Sequence, residues 1–598
     1  MGSQRRVKPP NLTRMKPIVW KHLGILFLSP VFTAALLPAQ PAPPPPAFPL
    51  APESEKRLPG VEAGETLAFD WNTSKLFPGT QRTVTVYVPR AYDGRSPACL
   101  AVFQDKGGFQ FETVFDNLIH SGEMPVTIAV TVPPGAVKGA VDPTGTRHNR
   151  TFEYDSPGDR YLRFLLEEIL PAVEGLRTAD GRPLRLSRKG SDRMIAGGSS
   201  GAAAAFNAAW ARPEEFSRVF SAIGSYTGLR GSYVYPVMVQ KTEPKPLRLF
   251  LQSGTNDMWT AFGDWWSANN AMVRALTFAG YEFQHEFGEG RHSPDHGTAL
   301  FPRAMRFLWK DWPEPVKAGD KSRNHVLRQT LFQDRRWTAH PSTFPNATRL
   351  RANAEGIVFV STAKGVVRLH DASSLLVENA VLWGFSRDGL SRIQSVSSGA
   401  IVRAFPEGKT ERLAPSLPVQ ALVVAASNDV YAADGNKIWR LRAGKDPVCV
   451  DEGPVDATGL AITGDGNWLA AFERGTTRGF SYQIGTDGIL NYKQTFYVLH
   501  KLDEDDHAGT RDATSEVSKF GYVYVATALG VQICDANGRT GAILPLPYGV
   551  AAVSVCFGGK DFQTLYVLGS DGRIYLRPMQ NPGAASFREP LPITTRAG

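Results

Sequence analysis

Along residues 66–315, compact apolar runs alternate with stretches whose apolar positions recur at helical spacing. Residues 83–88 and 126–132 are rich in Val, Thr and Ile, and 99–104, 247–252 and 281–287 form similar short runs. All read as strands, because β-branched and aromatic residues suit a pleated, buried surface. Residues 159–173 set Tyr161, Leu162, Phe164, Leu165, Ile169 and Leu170 at roughly helical spacing, with Pro171 placed to end or kink the helix. An Ala-rich helix over 202–210 and a last one over 299–312 (Leu300, Ala304, Phe307, Leu308) complete the pattern. Strand–helix alternation of this kind predicts a mainly parallel sheet with helices on both faces.

From about residue 330 the pattern changes. Short strand pairs joined by Gly, Asp or Asn turns recur at 356–369, 429–441, 467–483, 522–534 and 564–576, with a weaker member near 381–405. Helical periodicity is absent. Repeats of about forty to fifty residues, each a set of strands, predict an all-β propeller of about six blades. A double β-sandwich is the alternative, and the regular recurrence argues against it. The chain thus reads as multidomain: an α/β domain at 63–315, a linker at 316–332 and a propeller at 333–598.

Composition sharpens this only at the N-terminus. The 598 residues exceed one ordinary core, and 42% apolar with 21% charged residues is the make-up of a folded protein. The formal charge of +9 is misleading: residues 1–39 hold six basic and no acidic residues. No concentrated basic patch remains beyond them, so no nucleic-acid partner is expected. Residues 1–39 read as a signal peptide, with a basic region ending at Lys21-His22, an apolar stretch over 23–37 and small residues Ala34, Ala35 and Ala39 for cleavage. Pro30 interrupts the apolar run, so no stable membrane span is expected, a retained anchor being the alternative. The mature protein is expected to be periplasmic or secreted. Residues 40–62 read as a stiff Pro-rich linker. Cys99, Cys449, Cys534 and Cys556 fit no zinc site or disulfide scaffold and read as buried thiols, although Cys534 and Cys556 could pair.

The candidate chemistry centres on Gly197-Gly198-Ser199-Ser200-Gly201, which follows an apolar run and precedes the Ala-rich helix. Gly-x-Ser-x-Gly between strand and helix is what a nucleophile elbow needs. A Gly/Ser turn closing a strand would look the same, and the residues downstream decide between the two. Asp257 follows the strand-like 247–252 and His292 the strand-like 281–287. The order Ser199, Asp257, His292, each past the carboxyl end of a strand, matches the chemistry: an imidazole takes the serine proton and a carboxylate orients the imidazole. His296 is a second candidate base. An oxyanion hole would use the Ser200 N–H and, from the loop after 99–104, the Gly107 N–H. Trp259 and Trp265 are candidate pocket walls, with core packing the other reading; Phe262 reads as packing. Arg150 is a candidate substrate ligand or else a partner of Glu153 or Asp155. The run 503–507 reads as a solvated acidic loop.

Two resemblances follow from these residues. Val102-Phe103-Gln104-Asp105, the run 149–155, the segment 196–201, the run 250–257 and Gly290-Arg291-His292 together resemble the enterochelin-esterase-like α/β-hydrolases, which include feruloyl and acetyl-xylan esterases. The resemblance covers about residues 66–312 and implies the same roles: Ser199 nucleophile, Asp257 acid, His292 base. Lys106 stands where a glycine is usual, and Arg291 likewise. Residues 522–535 and 557–567 resemble the gluconolactonase/SMP-30-like propellers, whose active members hold a divalent metal on Glu, Asn and Asp. Here those positions read only as Glu355, Thr458 and Asp512, so the resemblance implies a retained fold without that metal, and no metal or other cofactor is expected. The expected function is serine esterase action on carbohydrate or phenolic esters, with siderophore esters a second class and the propeller a binding or positioning module, its partner a glycan. Lactonase chemistry in the propeller and a non-catalytic binding protein are the alternatives.

Overall fold

A computed structural model describes residues 48–142, 144–452, 456–502, 512–515 and 521–584 of the chain. The predicted signal peptide, the first part of the Pro-rich linker and the acidic run 503–507 lie outside the described residues.

The first domain is built on one eight-stranded sheet. Its strands are β1 (Glu65–Trp71), β2 (Arg82–Val88), β3 (Cys99–Gln104), β4 (Thr127–Val132), β5 (Arg193–Gly198), β6 (Arg218–Ala222), β7 (Arg248–Asn256) and β8 (Glu282–Arg291). They lie in the order β1-β2-β4-β3-β5-β6-β7-β8. The contacts from β4 to β8 are all parallel; β1 and β2 add an antiparallel edge. Alternation along β3 shows why both faces are apolar: Leu100 and Val102 enter one core, Cys99, Ala101 and Phe103 the other. The segment expected as one kinked helix over 159–173 is three pieces, Arg160–Phe164, a π-helical Leu165–Ile169 and Leu170–Glu174. Its apolar residues are buried as the spacing predicted.

The linker expected over 40–62 is in its described part docked rather than free. Helix α1 (Pro52–Glu55) is followed by a segment pinned to α2 (Phe111–His120). The Asn117 amide donates to the Glu53 and Lys56 carbonyls at 2.9 Å each, and Arg57 donates to Asp116 at 2.7 Å. Proline content marked extended backbone but gave no sign of these partners, which are about sixty residues away in sequence. Two further helices of this domain, α3 (Arg150–Tyr154) and α4 (Ser200–Ala211), pack on each other beside the carboxyl ends of β3 and β5.

Six four-stranded antiparallel sheets follow and form a six-bladed propeller. Their innermost strands are Arg349–Ala352, Val381–Phe385, Ala421–Val424, Ala457–Ile462, Asp512–Ser515 and Ala552–Gly558. The blade containing Ala552–Gly558 is completed by Thr338–Thr343, which pairs with Arg573–Pro578 from the far end of the domain. This closure ties the two ends of the ring together. Among the four cysteines, all free, Cys449 is exposed, not buried as expected; the other three are buried.

Residues 316–332 are more than a tether. Within them α5 (His325–Thr330) is capped by Asn324, whose side chain accepts from Val326 N and Leu327 N. The same amide donates at 2.9 Å to Gln240 O of the first domain and Gly541 O of the propeller. Val326, Leu327 and Leu331 enter a propeller core. Beside them, the fully buried Arg577 of the propeller grips Glu243 of the first domain through two bonds, 2.6 and 2.8 Å.

Candidate active site

The site forms where β5 passes into α4 through Ser199. Ser199 has φ 59° and ψ −126°, a backbone conformation disfavoured for any residue with a side chain. The glycines around it let strand and helix approach. A Cβ on Gly197 would lie 2.4 Å from the Gly201 carbonyl group, and one on Gly201 would lie 2.9 Å from the Gln104 Cβ. The elbow is thereby wedged against the end of β3, and the serine is thrust above the sheet.

Asp257 follows β7 and His292 follows β8, and the fold brings both to Ser199. His292 Nδ1 lies 2.5 Å from Asp257 Oδ1, and His292 Nε2 lies 2.9 Å from Ser199 Oγ. The Asp257 carboxylate is fully buried, and its Oδ1 also accepts from Met258 N at 2.7 Å. β7 and β8 both continue beyond the limits expected from sequence, to Asn256 and Arg291, so Asp257 and His292 stand at strand ends rather than in long loops. His296 is elsewhere: its Nδ1 meets Gln252 Nε2 at 3.1 Å and its ring stacks on Phe48 at 4.2 Å. Burial pushes its imidazole below the ordinary value.

The Gly107 N–H donates to Gln104 O at 3.2 Å in the turn after β3, the long limit for such a bond. Glycine is needed there: φ is +81°, and a Cβ would strike the Phe111 ring at 2.7 Å. The neighbouring Lys106 N–H makes no hydrogen bond among the described residues, nor does that of Ser200 at the start of α4. Two expectations for the surrounding residues need correction. Trp265, expected in the pocket wall, is 2% exposed; its indole N–H donates to Ser225 Oγ at 2.9 Å and its edge meets the His292 ring. Trp259 is 87% exposed, on a two-stranded hairpin directly after Asp257, and Phe262, read from sequence as packing, is 54% exposed on the same hairpin.

Arg150 opens α3, and its partner is neither Glu153 nor Asp155. It forms a two-pronged ion pair with Asp105, at 2.9 and 3.0 Å, and reaches Gly198 O at 3.4 Å. Glu153 instead pairs with Arg82, both side chains fully buried. That pair anchors α3 from below while Tyr154 accepts from Asp105 N and donates to Val132 O. Arg150 therefore braces the loop after β3 against the elbow. Asp155 is fully buried beside Ser200, and burial raises its carboxyl to about 6, opposed in part by the Ser200 hydroxyl and the Arg150 charge.

Sequence reasoning missed Ser225. It is fully buried three residues past β6, its N–H donates to Ser199 O at 3.1 Å, and its Oγ lies 3.2 Å from Ser199 Oγ. A serine in Gly224-Ser225-Tyr226 carries no motif of its own; only the adjacency of β5 and β6 brings it to the nucleophile.

In the propeller, the positions aligned with metal ligands are dispersed. Glu355 lies in the turn after its innermost strand, whereas Thr458 and Asp512 stand at the beginnings of theirs. Innermost strands of a propeller run alike along the axis, so Glu355 sits at the end opposite the other two. Among the described residues no group of three His, Cys, Asp or Glu side chains is placed to hold a metal ion.

Residues 75–282 match the family model Esterase, described as "Putative esterase". No curated protein matches the chain. Among solved structures, a ferulic acid esterase is similar at 19% identity, covering 41% of this chain and 98% of its own, with a TM-score of 0.31. The enterobactin esterase of Shigella flexneri is similar at 21%, covering 44% of this chain and 63% of its own length, TM-score 0.33. A gluconolactonase of Xanthomonas campestris is similar at 16%, covering 43% and 93%, TM-score 0.33. The first domain is an esterase domain, and the chain a carboxylic ester hydrolase.

Proposed function

We propose that this carboxylic ester hydrolase works as an exported serine esterase with Ser199 as nucleophile, His292 as base and Asp257 as its orienting acid. The observation that carries the reading is the single imidazole reaching both Asp257 at 2.5 Å and Ser199 at 2.9 Å. A serine hydroxyl becomes nucleophilic only when its proton has somewhere to go, and His292 Nε2 is in hydrogen-bonding reach. In acylation the Ser199 Oγ–H bond breaks, the proton passes to Nε2 and Oγ bonds to the ester carbon. The carbonyl pair moves onto oxygen, where the Ser200 N–H and, from the loop after β3, the Gly107 N–H are the proposed donors, with the neighbouring Lys106 N–H as the alternative. The alcohol then leaves with the proton from His292, and water repeats the sequence to free the acid. Asp257 fixes the tautomer with the proton on Nδ1 and stabilises the imidazolium.

The substrates proposed are phenolic or carbohydrate esters. Trp259 and Phe262, exposed on the hairpin after Asp257, offer aromatic faces for a phenolic acyl group or a sugar ring. The propeller would bind or position a glycan that carries the ester. For metal-dependent lactonase chemistry in the propeller, no group of three His, Cys, Asp or Glu side chains converges among the described residues.

The test is fluorophosphonate labelling with p-nitrophenyl acetate turnover, wild type beside Ser199→Ala. Labelling and turnover that both vanish in the variant are expected. Turnover that persists would overturn the assignment of Ser199, and loss of that turnover to chelator would then point to the propeller.

A further inference from the structure

We propose that Ser225 is a further catalytic residue, whose hydroxyl donates a hydrogen bond to Ser199 Oγ and stabilises the charge that builds there as the proton leaves for His292. The proposal rests on the reading of Ser199 as nucleophile. The reason lies in where each proton can go. The Trp265 indole nitrogen can only donate, and it lies 2.9 Å from Ser225 Oγ, so that oxygen accepts there. The proton of Ser225 must then point elsewhere, and Ser199 Oγ at 3.2 Å is its partner. Ser199, accepting from Ser225, sends its own proton to His292 Nε2. At the other end the Asp257 carboxylate can only accept, so the imidazole keeps its proton on Nδ1. One polarity survives: Trp265 to Ser225 to Ser199 to His292 to Asp257. It is set by a terminal group that can only donate and one that can only accept.

The surroundings hold this chain in place. The Ser225 N–H donates to Ser199 O, and the Asn269 amide donates to Gly224 O at 2.9 Å. Ser225, Asn269 and Trp265 are all buried, so water does not compete for these groups. A distance of 3.2 Å is long for O–H···O and suits a resting site whose bond tightens as charge develops.

The consequence is selective for the transition state. While Ser199 Oγ is losing its proton and forming its bond to the acyl carbon, it carries the most negative charge and accepts most strongly. Once it is an ester oxygen it is a poor acceptor, and the bond from Ser225 weakens. It strengthens again as Ser199 departs during deacylation. No covalent bond to Ser225 forms or breaks. A donor of this kind lowers the barriers of both half-reactions without tightening substrate binding.

The experiment follows fluorophosphonate labelling and p-nitrophenyl ester turnover in wild type, Ser225→Ala, Trp265→Phe and the double variant, with Ser199→Ala as reference. Ser225→Ala is expected to slow labelling and lower kcat by about 10–100-fold with KM little changed. The pH at half-maximal rate should stay put, because His292 and Asp257 are untouched. Trp265→Phe should cost less, and nothing further once Ser225 is alanine, since it acts through that hydroxyl. Ser225→Cys, similar in size with a far weaker donor, carries the test should Ser225→Ala not fold. A labelling rate within about twofold of wild type for a folded Ser225 variant overturns the proposal, as do additive losses in the double variant. If Ser199→Ala is inactive while Ser225→Ala labels and turns over within about twofold of wild type, only the role of Ser225 falls. If Ser199→Ala still turns over, the site reading falls with it.

Discussion

Replacing Gly197 by alanine should be far more damaging than replacing its neighbour Gly198, although the two are adjacent in one strand. A Cβ on Gly197 would sit 2.4 Å from the Gly201 carbonyl carbon and oxygen and 2.9 Å from Ala202 N. Those atoms are backbone, so no side chain can swing aside; α4 must move off β5 by on the order of 1 Å, as far as the shortfall from ordinary contact. Overpacking of this kind costs roughly 1–3 kcal/mol, and a rigid obstacle places it near the upper end. The same displacement carries Ser199 and Ser200 away from His292, and a shift of about 1 Å costs on the order of a hundredfold in rate. On Gly198 a Cβ would meet only the Phe109 ring at 3.7 Å and Ala222 O at 3.9 Å, which are ordinary contacts. Gly198→Ala should stay within about 0.5 kcal/mol of wild type. Urea unfolding of the two variants, with p-nitrophenyl acetate turnover alongside, decides the matter. A Gly197→Ala protein as stable and active as wild type would refute the reasoning, and so would equal losses at the two positions.

Other expectations follow from the same geometry. Ser199→Gly should be more stable than Ser199→Ala by about 1 kcal/mol in urea midpoints, both being inactive, because glycine relieves the φ of 59° and loses some of that gain to its entropy; alanine as the more stable variant would count against strain at the elbow. Asp155, raised from 3.8 to about 6 by burial, favours the folded state while protonated. Its contribution is full below about pH 4 and is lost as pH rises through about 6. Asp155→Asn should therefore gain on wild type by up to about 3 kcal/mol between about pH 4 and 8, read from unfolding at several pH values, and a pH-independent difference would contradict it. At the domain junction, Glu243→Ala leaves the buried Arg577 without its carboxylate and should cost roughly 3–5 kcal/mol. Calorimetry should show a lowered or split transition, and an unchanged one would mean that water takes the place of Glu243.

What the chain's one-dimensional pattern reveals depends on whether the signal is local. The alternating strands and helices of the first domain and the change of texture near residue 330 are periodicities, and periodicity is set by which face of an element must be buried. The Gly-x-Ser-x-Gly pentapeptide is legible for the same reason, since its glycines are demanded by contacts within a few residues. Chain order then singled out Asp257 and His292, because each ends a strand of a parallel sheet. Errors arose where a residue's role depends on a partner far away. Arg150 looked able to pair with Glu153 or Asp155, yet Asp105, some forty-five residues away, holds it. Trp265 looked like a pocket wall, yet packing turns its N–H inward to Ser225.

The sequence by itself determined the two architectures and their order, and it singled out Ser199 and Asp257 with two candidate histidines, because burial patterns and tight turns are written in neighbouring residues. Only the tertiary structure decided which histidine meets the serine, that Ser225 stands behind the nucleophile, and that Thr338–Thr343 closes a blade with Arg573–Pro578. These are distances between segments tens to hundreds of residues apart. They are set by how sheets twist and stack, which no single stretch of sequence encodes.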